Sequence, residues 1–291
     1  MIWLVGNKGM LGTELSRVIE SRGSECVGTD REVDVTNEET VRSFARELDR
    51  KGGLDWIVNC AAYTAVDKAE DDRELCERLN VRAPGILALI ANEVGASFLH
   101  ISTDYVFNGD GDRPYREDDD TDPTGYYGLT KRDGERIALA ANPRTLIIRT
   151  AWLYGQYGNN FVKTMIRLMG EKDAIKVVND QRGSPTWAFD LAETIATVID
   201  ADPAVPYGIY HFSNNGDITW FDFAREIYRL GREKGIIQRA CDVIPCTSAE
   251  YPSKVRRPPY SVLDKRKIES ALGVSIPSWQ ESLSKYLEIR Q

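Results

Sequence analysis

The chain has 291 residues, 42% of them hydrophobic and 28% charged, with a formal net charge of −8. This length buries a substantial core, as one large domain or a domain plus a smaller lobe, and the acidic balance excludes nonspecific nucleic-acid binding, so an anionic ligand must meet local basic groups. No apolar run is long enough to span a bilayer, no cleavable leader precedes the first strand signal, and five cysteines without metal or framework spacing read as reduced thiols of a cytoplasmic protein.

The apolar run at 2–5 is too short for a helix and reads as a buried parallel strand. Leu11, Leu15, Val18 and Ile19 then repeat at helical spacing, so Gly6, Gly9 and Gly12 punctuate a strand-to-helix junction. Glycines there allow a tight turn, close approach to a pyrophosphate and close helix packing, while the helix-start amides attract phosphate. Lys8, Met10 and Leu11 share this turn and are candidate cofactor contacts. The spacing is Gly-x2-Gly-x2-Gly, where the common dinucleotide fingerprint is Gly-x-Gly-x2-Gly.

A second strand over 26–29 ends at Asp30, where a carboxylate reaches ribose hydroxyls; Arg31 follows and can pair with a 2′-phosphate. Asp30 argues for NADH and Arg31 for NADPH, and both stay open. Asp34 and Val35 are placed beside the adenine. Thr36 or Asn37 caps a predicted helix through Arg50, with Val41, Phe44, Ala45 and Leu48 on one face. A strand over 54–60, a helix over 83–94, a strand over 97–102, a helix over 126–141 and a strand over 145–149 complete an alternation that predicts a parallel sheet covered on both faces.

Ligands bind such sheets beyond the carboxyl ends of the strands. Three of these ends carry polar or small clusters: Asn59 to Tyr63, including Ala61 and Ala62; Ser102-Thr103-Asp104-Tyr105; and Arg149 to Trp152. Tyr127 and Lys131 lie four apart on the helix over 126–141, hence on one face. A phenol beside a fixed ammonium gives up its proton more readily, which suits a general acid that protonates an oxygen as hydride arrives at the attached carbon.

After residue 155 the alternation loosens: helices are predicted over 160–169, 189–199, 220–231 and 279–289, with strands over 175–178 and 209–212. The predicted class is α/β, a Rossmann-like doubly wound parallel sheet over residues 1–155 with later noncontiguous pieces, and a smaller, mostly substrate-binding lobe over 156–291. His100 and His211 sit in apolar strands and read as core, so no His/Cys basis for a metal exists; the acidic run 117–120 reads as a solvated loop.

Several longer motifs occur in order: Asn59-Cys-Ala-Ala-Tyr-Thr-Ala-Val-Asp67-Lys-Ala-Glu70, Ser102-Thr-Asp-Tyr-Val-Phe107, Tyr127-Gly-Leu-Thr-Lys131, Arg149-Thr-Ala-Trp-Leu-Tyr-Gly155, Gly158-Asn-Asn-Phe161, Asp180-Gln-Arg-Gly-Ser-Pro-Thr186 and Arg256-Arg257-Pro258. On these the chain resembles the extended short-chain dehydrogenase/reductase superfamily and, within it, the dTDP-4-dehydrorhamnose reductase family, from residue 1 to about 288. The resemblance implies NADH- or NADPH-dependent reduction of the C4 keto group of a dTDP-6-deoxy-4-keto sugar, for cell-surface polysaccharide.

By the same resemblance Tyr127 protonates the developing alkoxide, Thr103 hydrogen-bonds that oxygen, and Lys131 binds the nicotinamide ribose and holds down the tyrosine pKa. Ala61, Ala62, Tyr63 and Ser102 are expected along the nicotinamide half of the groove. Asp104, Tyr105 and Trp152 are expected at the sugar, Asn159, Asn160 and Arg182 at nucleotide or sugar, and Arg256 or Arg257 at the diphosphate. Some family members use magnesium at a dimer contact; Glu14 stands at one matching place but Phe189 replaces a second acid, so no metal is assigned and monomer and homodimer both remain open. A 4,6-dehydratase would need a glutamate after the Thr103-Asp104 pair, where Tyr105 stands. A different nucleotide-sugar reductase or epimerase, and a noncatalytic regulatory subunit of methionine adenosyltransferase type, also stay open.

Overall fold

The computed structural model describes residues 1–251 and 253–289; the expected C-terminal lobe thus includes three positions, 252, 290 and 291, outside the described residues. The elements run β1 (Ile2–Val5), α1 (Met10–Ser21), β2 (Cys26–Thr29), α2 (Glu38–Gly52), β3 (Trp56–Asn59), α3 (Arg73–Glu77), α4 (Ala83–Val94), β4 (Ser97–Thr103), α5 (Tyr126–Ala141) and β5 (Thr145–Thr150). They continue as β6 (Leu153–Tyr154), α6 (Phe161–Glu171), β7 (Ala174–Val178), β8 (Arg182–Gly183), β9 (Thr186–Trp187), α7 (Ala188–Asp200), β10 (Gly208–Phe212), β11 (Ile218–Thr219), α8 (Trp220–Glu233), β12 (Asp242–Cys246), α9 (Arg266–Leu272) and α10 (Trp279–Ile289).

Six strands form the main sheet in the order β10-β5-β4-β3-β1-β2, every pairing parallel. Side chains alternate across it, as a period of two requires. Ile2 and Leu4 of β1 pack with Leu11, Leu15, Val18 and Ile19 of α1 and with Leu191 and Ile195 of α7. Trp3 and Val5 face the other way, onto Val41, Ala45 and Leu48 of α2 and Leu87, Ala88 and Ala91 of α4. Burying one such Leu or Ile contributes about 1.5–3 kcal/mol, so two fully covered faces fix the register. The fold is therefore a doubly wound α/β sheet whose order reverses at β1, between β2 and β3.

Asn37 caps α2 by accepting the Thr40 N–H at 3.0 Å. Glu70 does the same at a distance, accepting the Tyr126 N–H at 2.7 Å and so placing a carboxylate at the start of α5. A second core joins Tyr154, Met165, Met169, Trp187, Phe223, Ile227 and Leu283 beneath the C-terminal elements.

Four features of the fold go beyond what the sequence predicts. β12 pairs with β7 in a two-stranded parallel sheet, α9 follows the Pro-rich segment, the two-residue strands β6, β8, β9 and β11 knit the lobe together, and a π-helical turn over Arg78–Arg82 joins α3 to α4. β10, from the second half of the chain, closes the main sheet against β5.

Candidate active site

A cleft of about 940 Å³ opens at the carboxyl ends of β1, β2, β3, β4 and β5, at the reversal of strand order. It is lined by Gly6, Gly9, Met10, Leu11, Gly12, Asp30, Arg31, Asp34, Val35, Ala61 and Ala62 at one end, and by Ser102, Thr103, Asp104, Tyr105, Tyr127, Lys131 and Trp152 at the other. One cavity thus brings together residues 6 to 152, most of those expected from the sequence.

The glycine turn is shaped for close approach. Gly6 has φ +78°, and a Cβ on it would sit 2.8 Å from the Ala61 nitrogen; a Cβ on Gly12 would overlap the Gly6 carbonyl and lie 2.8 Å from Asn7 Cα. Gly12→Ala therefore pushes α1 away from the turn. The expected outcome is loss of nicotinamide-cofactor binding by at least about tenfold, measured by fluorescence titration; unchanged affinity would contradict this packing role. These bare backbones at a helix start, a long cleft and an unpartnered buried Ser102 hydroxyl fit a dinucleotide. At the β2 end Glu32 accepts the Asp30 N–H at 2.8 Å and is ion-paired with Lys8, whereas Arg31 is exposed and has no ion pair among the described residues.

At the other end Thr103 Oγ donates to Asp104 Oδ1 at 2.9 Å and accepts the Tyr105 N–H at 3.2 Å. Burial pushes the Asp104 carboxyl up to about 6, against the hydrogen bonds from Thr103 and its neighbours. The Tyr105 and Tyr127 rings meet edge to face at 5.6 Å. Lys131 is 1% exposed; its Nζ donates to the Ile101 carbonyl at 2.6 Å and lies 3.0 Å from His100 Nε2.

These contacts correct one expectation. The Tyr127 phenol is not held down by Lys131: burial raises its pKa well above the ordinary value, opposed by the Thr103 hydroxyl, with Asp104 and Tyr105 adding to the rise. The lysine head rests on β4, against the Ile101 carbonyl and His100. Burial also lowers the Lys131 pKa to about 8, against the attraction of Glu135.

Other expected residues stand outside the cleft lining. Asn160 caps α6, accepting the Lys163 N–H at 3.1 Å while its amide donates to the Gly155 carbonyl at 2.8 Å, so both ends are committed to structure. Arg182 is paired with Asp217 at 2.7 Å and lies over the Tyr260 ring. Asn159 is exposed, Arg256 pairs with Asp110 on the surface, and Tyr63 is held by its backbone, donating to and accepting from the Asn80 amide. Arg257 joins Asp67 and donates to the Tyr105 hydroxyl at 3.2 Å, an indirect link to the cleft. Lys8 is spent on Glu32.

Lining residues not singled out individually from the sequence include Cys60, Thr64, Val66, Leu79, Thr150 and Leu153; the first three lie within the Asn59–Glu70 motif, and Thr150 and Leu153 within the Arg149–Gly155 motif, the two available signals. Trp152 is half-buried, stacks on Trp220 at 3.6 Å and takes φ +48°. A bulky residue in that region is strained, and such strain concentrates where a ligand is clamped.

A sequence model of the family described as RmlD substrate binding domain matches residues 1–291. A dTDP-4-dehydrorhamnose reductase of Streptomyces griseus is 43% identical, over 97% of this chain and 91% of the relative. A crystal structure of a dTDP-4-dehydrorhamnose reductase from Clostridium acetobutylicum is 41% identical, with TM-score 0.91 over 100% of this chain and 99% of that one. Another from Bacillus anthracis, in complex with NADP, is 35% identical, with TM-score 0.92 over 100% and 99%.

Proposed function

The chain belongs to the RmlD substrate binding domain family, and from that premise we propose that it is a dTDP-4-dehydrorhamnose reductase, reducing the C4 ketone of dTDP-4-dehydro-L-rhamnose to dTDP-L-rhamnose with NADPH or NADH. The observation that carries the reading is the meeting of Thr103, Tyr127 and Lys131 with the glycine turn in one cleft. Such a cleft accommodates a dinucleotide along β1 and β2 and a keto sugar beside β4 and β5. The lobe built mostly from residues 156–291 is assigned to the sugar nucleotide, and the reaction to the cytoplasm, as a monomer or homodimer.

When bound, the nicotinamide cofactor supplies the hydride. Tyr127 is the general acid: its raised pKa keeps the phenol protonated at neutral pH, and an alkoxide forming at C4 is a far stronger base than a phenolate. Thr103 turns its hydroxyl from Asp104 to the same oxygen, stabilising charge as it develops. Lys131, with one N–H on the Ile101 carbonyl, directs another into the cleft toward a ribose hydroxyl. The glycine turn takes the pyrophosphate, and Asp30, Asp34 and Val35 take the adenosine half. Trp152, braced by Trp220, walls the sugar pocket, while Asp104 and Tyr105 hold its polar side. Arg257 is better placed than Arg256 to approach the diphosphate, through its contact with Tyr105.

Loss of nicotinamide absorbance with dTDP-4-dehydro-L-rhamnose, run with both cofactors, tests this reading. The unpaired Arg31 favours NADPH through its 2′-phosphate. Arg31→Ala is expected to weaken NADPH binding about tenfold and leave NADH within about twofold; an equal effect on both would remove that role. No substrate-dependent oxidation with either cofactor would overturn the reductase reading.

A further inference from the structure

Behind Lys131 lies a buried chain of hydrogen bonds that the reaction above does not use. Asn59, at the end of β3, is 1% exposed, and His100, in the middle of β4, is fully buried. The Ala61 N–H donates to Asn59 Oδ1 at 3.0 Å. Asn59 Nδ2 lies 3.0 Å from His100 Nδ1, and His100 Nε2 lies 3.0 Å from Lys131 Nζ. Lys131 Nζ also meets the Ile101 carbonyl.

The polarity of this chain follows from its one fixed end. A backbone N–H can only donate, so the end of the Asn59 amide facing Ala61 is the oxygen. The NH2 end therefore donates to His100 Nδ1, which must accept. A neutral imidazole that accepts at Nδ1 carries its proton on Nε2. That N–H points at Lys131 Nζ, and an ammonium has no lone pair to receive it, whereas an amine has one. With Lys131 as the amine every group in the chain is matched. With Lys131 as the ammonium, two donors confront each other, or Asn59 and the imidazole both reverse and set the Asn59 NH2 against the Ala61 N–H.

We propose that His100, with its tautomer set through Asn59 by the Ala61 amide, is a positioning residue that donates its Nε2–H to Lys131 and biases this lysine toward its amine form. Other groups facing the lysine do not reverse the bias. Glu135 is committed to Arg149 through bonds of 2.7–3.2 Å, and burial raises the Cys60 thiol to about 12 and raises Cys76, keeping both neutral. Burial, opposed by the attraction of Glu135, brings Lys131 down to about 8, and burial, with Lys131 adding to it, likewise disfavours a charged His100. Resting on the reductase reading, the consequence is a lysine able to take up and release a proton near neutral pH, where such a group is most useful beside a tyrosine that must be recharged each turnover.

The chain has two histidines, which makes the tautomer directly readable. His211 Nδ1 lies 3.1 Å from the Tyr115 carbonyl, which can only accept, so His211 carries its proton on Nδ1. Nitrogen NMR of the full-length, cofactor-free protein labelled at histidine is expected to show one Nδ1–H and one Nε2–H tautomer, the latter His100. Asn59→Asp places a carboxylate that accepts from both Ala61 and His100 Nδ1, and His100→Gln offers Lys131 a carbonyl acceptor. In each variant the Lys131 titration, followed by the lysine carbon next to Nζ, is expected to move up by about one unit or more, a tenfold gain in proton affinity. An Nδ1–H tautomer at His100 in the parent overturns the proposal, as does an unmoved Lys131 titration in either folded variant. Both readouts are taken without substrate, so they stand or fall independently of the reductase activity.

Discussion

Tyr127→Phe lowers turnover about a hundred- to ten-thousandfold, the range for removing a positioned general acid, and leaves cofactor affinity within about twofold. The substitution deletes one oxygen from a ring that meets Tyr105 edge to face, so the wall of the cleft persists. What is lost is the proton for the alkoxide, while the Thr103 hydroxyl keeps its bonds to Asp104 and the Tyr105 N–H. Steady-state kcat against a fluorescence-measured cofactor Kd separates the two effects. Turnover at the parent rate would mean that another group, with Asp104 the nearest candidate, supplies the proton. Asp104 sits near 6, so in that case activity in the variant would fall as pH rises through about 6 and the carboxyl loses its proton.

The second large effect concerns stability. Arg149→Met is expected to cost about 3–5 kcal/mol, the usual loss when one partner of a buried ion pair is removed. Arg149 and Glu135 side chains are each 3% exposed and 2.7 Å apart, and the guanidinium also lies over the Phe107 ring at 5.1 Å. Without it the Glu135 carboxylate stays buried between α5 and β5 and loses all three of its guanidinium bonds. Replacing both partners with apolar residues, Arg149→Met with Glu135→Leu, is expected to recover most of the loss. Urea melts measure both. A single variant that loses less than about 1 kcal/mol would show that water reaches Glu135.

The parts legible in the sequence are those fixed by short-range chemistry. The run 2–5 followed by glycines at 6, 9 and 12 reads as strand, turn and helix because each signal lies within a dozen residues. The Tyr127–Lys131 helix is likewise legible over its observed span, Tyr126–Ala141. Non-local pairings are not legible. β12 contains Pro245 and is largely exposed, and only its ladder with β7, more than sixty residues earlier, makes it a strand.

Side-chain commitments are harder still. Asn160 and Arg182 are polar residues in motifs, and nothing local distinguishes a helix cap or an ion pair with Asp217 from a ligand contact. Spacing puts Lys131 on the Tyr127 face of α5, but the direction of its head is decided by the Ile101 carbonyl and His100 across the sheet. The same separation hides His100, whose apolar surroundings suggest plain core and whose two ring nitrogens both meet polar partners. Trp152 reads from the sequence as either wall or core because its stacking partner, Trp220, lies far along the chain.

The most direct test of the reductase reading follows the hydride itself. NADPH carrying deuterium at its transferred position is turned over with dTDP-4-dehydro-L-rhamnose, and the sugar product is examined by NMR. The expected product is dTDP-L-rhamnose with a single deuterium at C4. Deuterium at another ring carbon, or no labelled product from protein that binds the cofactor, would contradict C4 ketone reduction in this cleft.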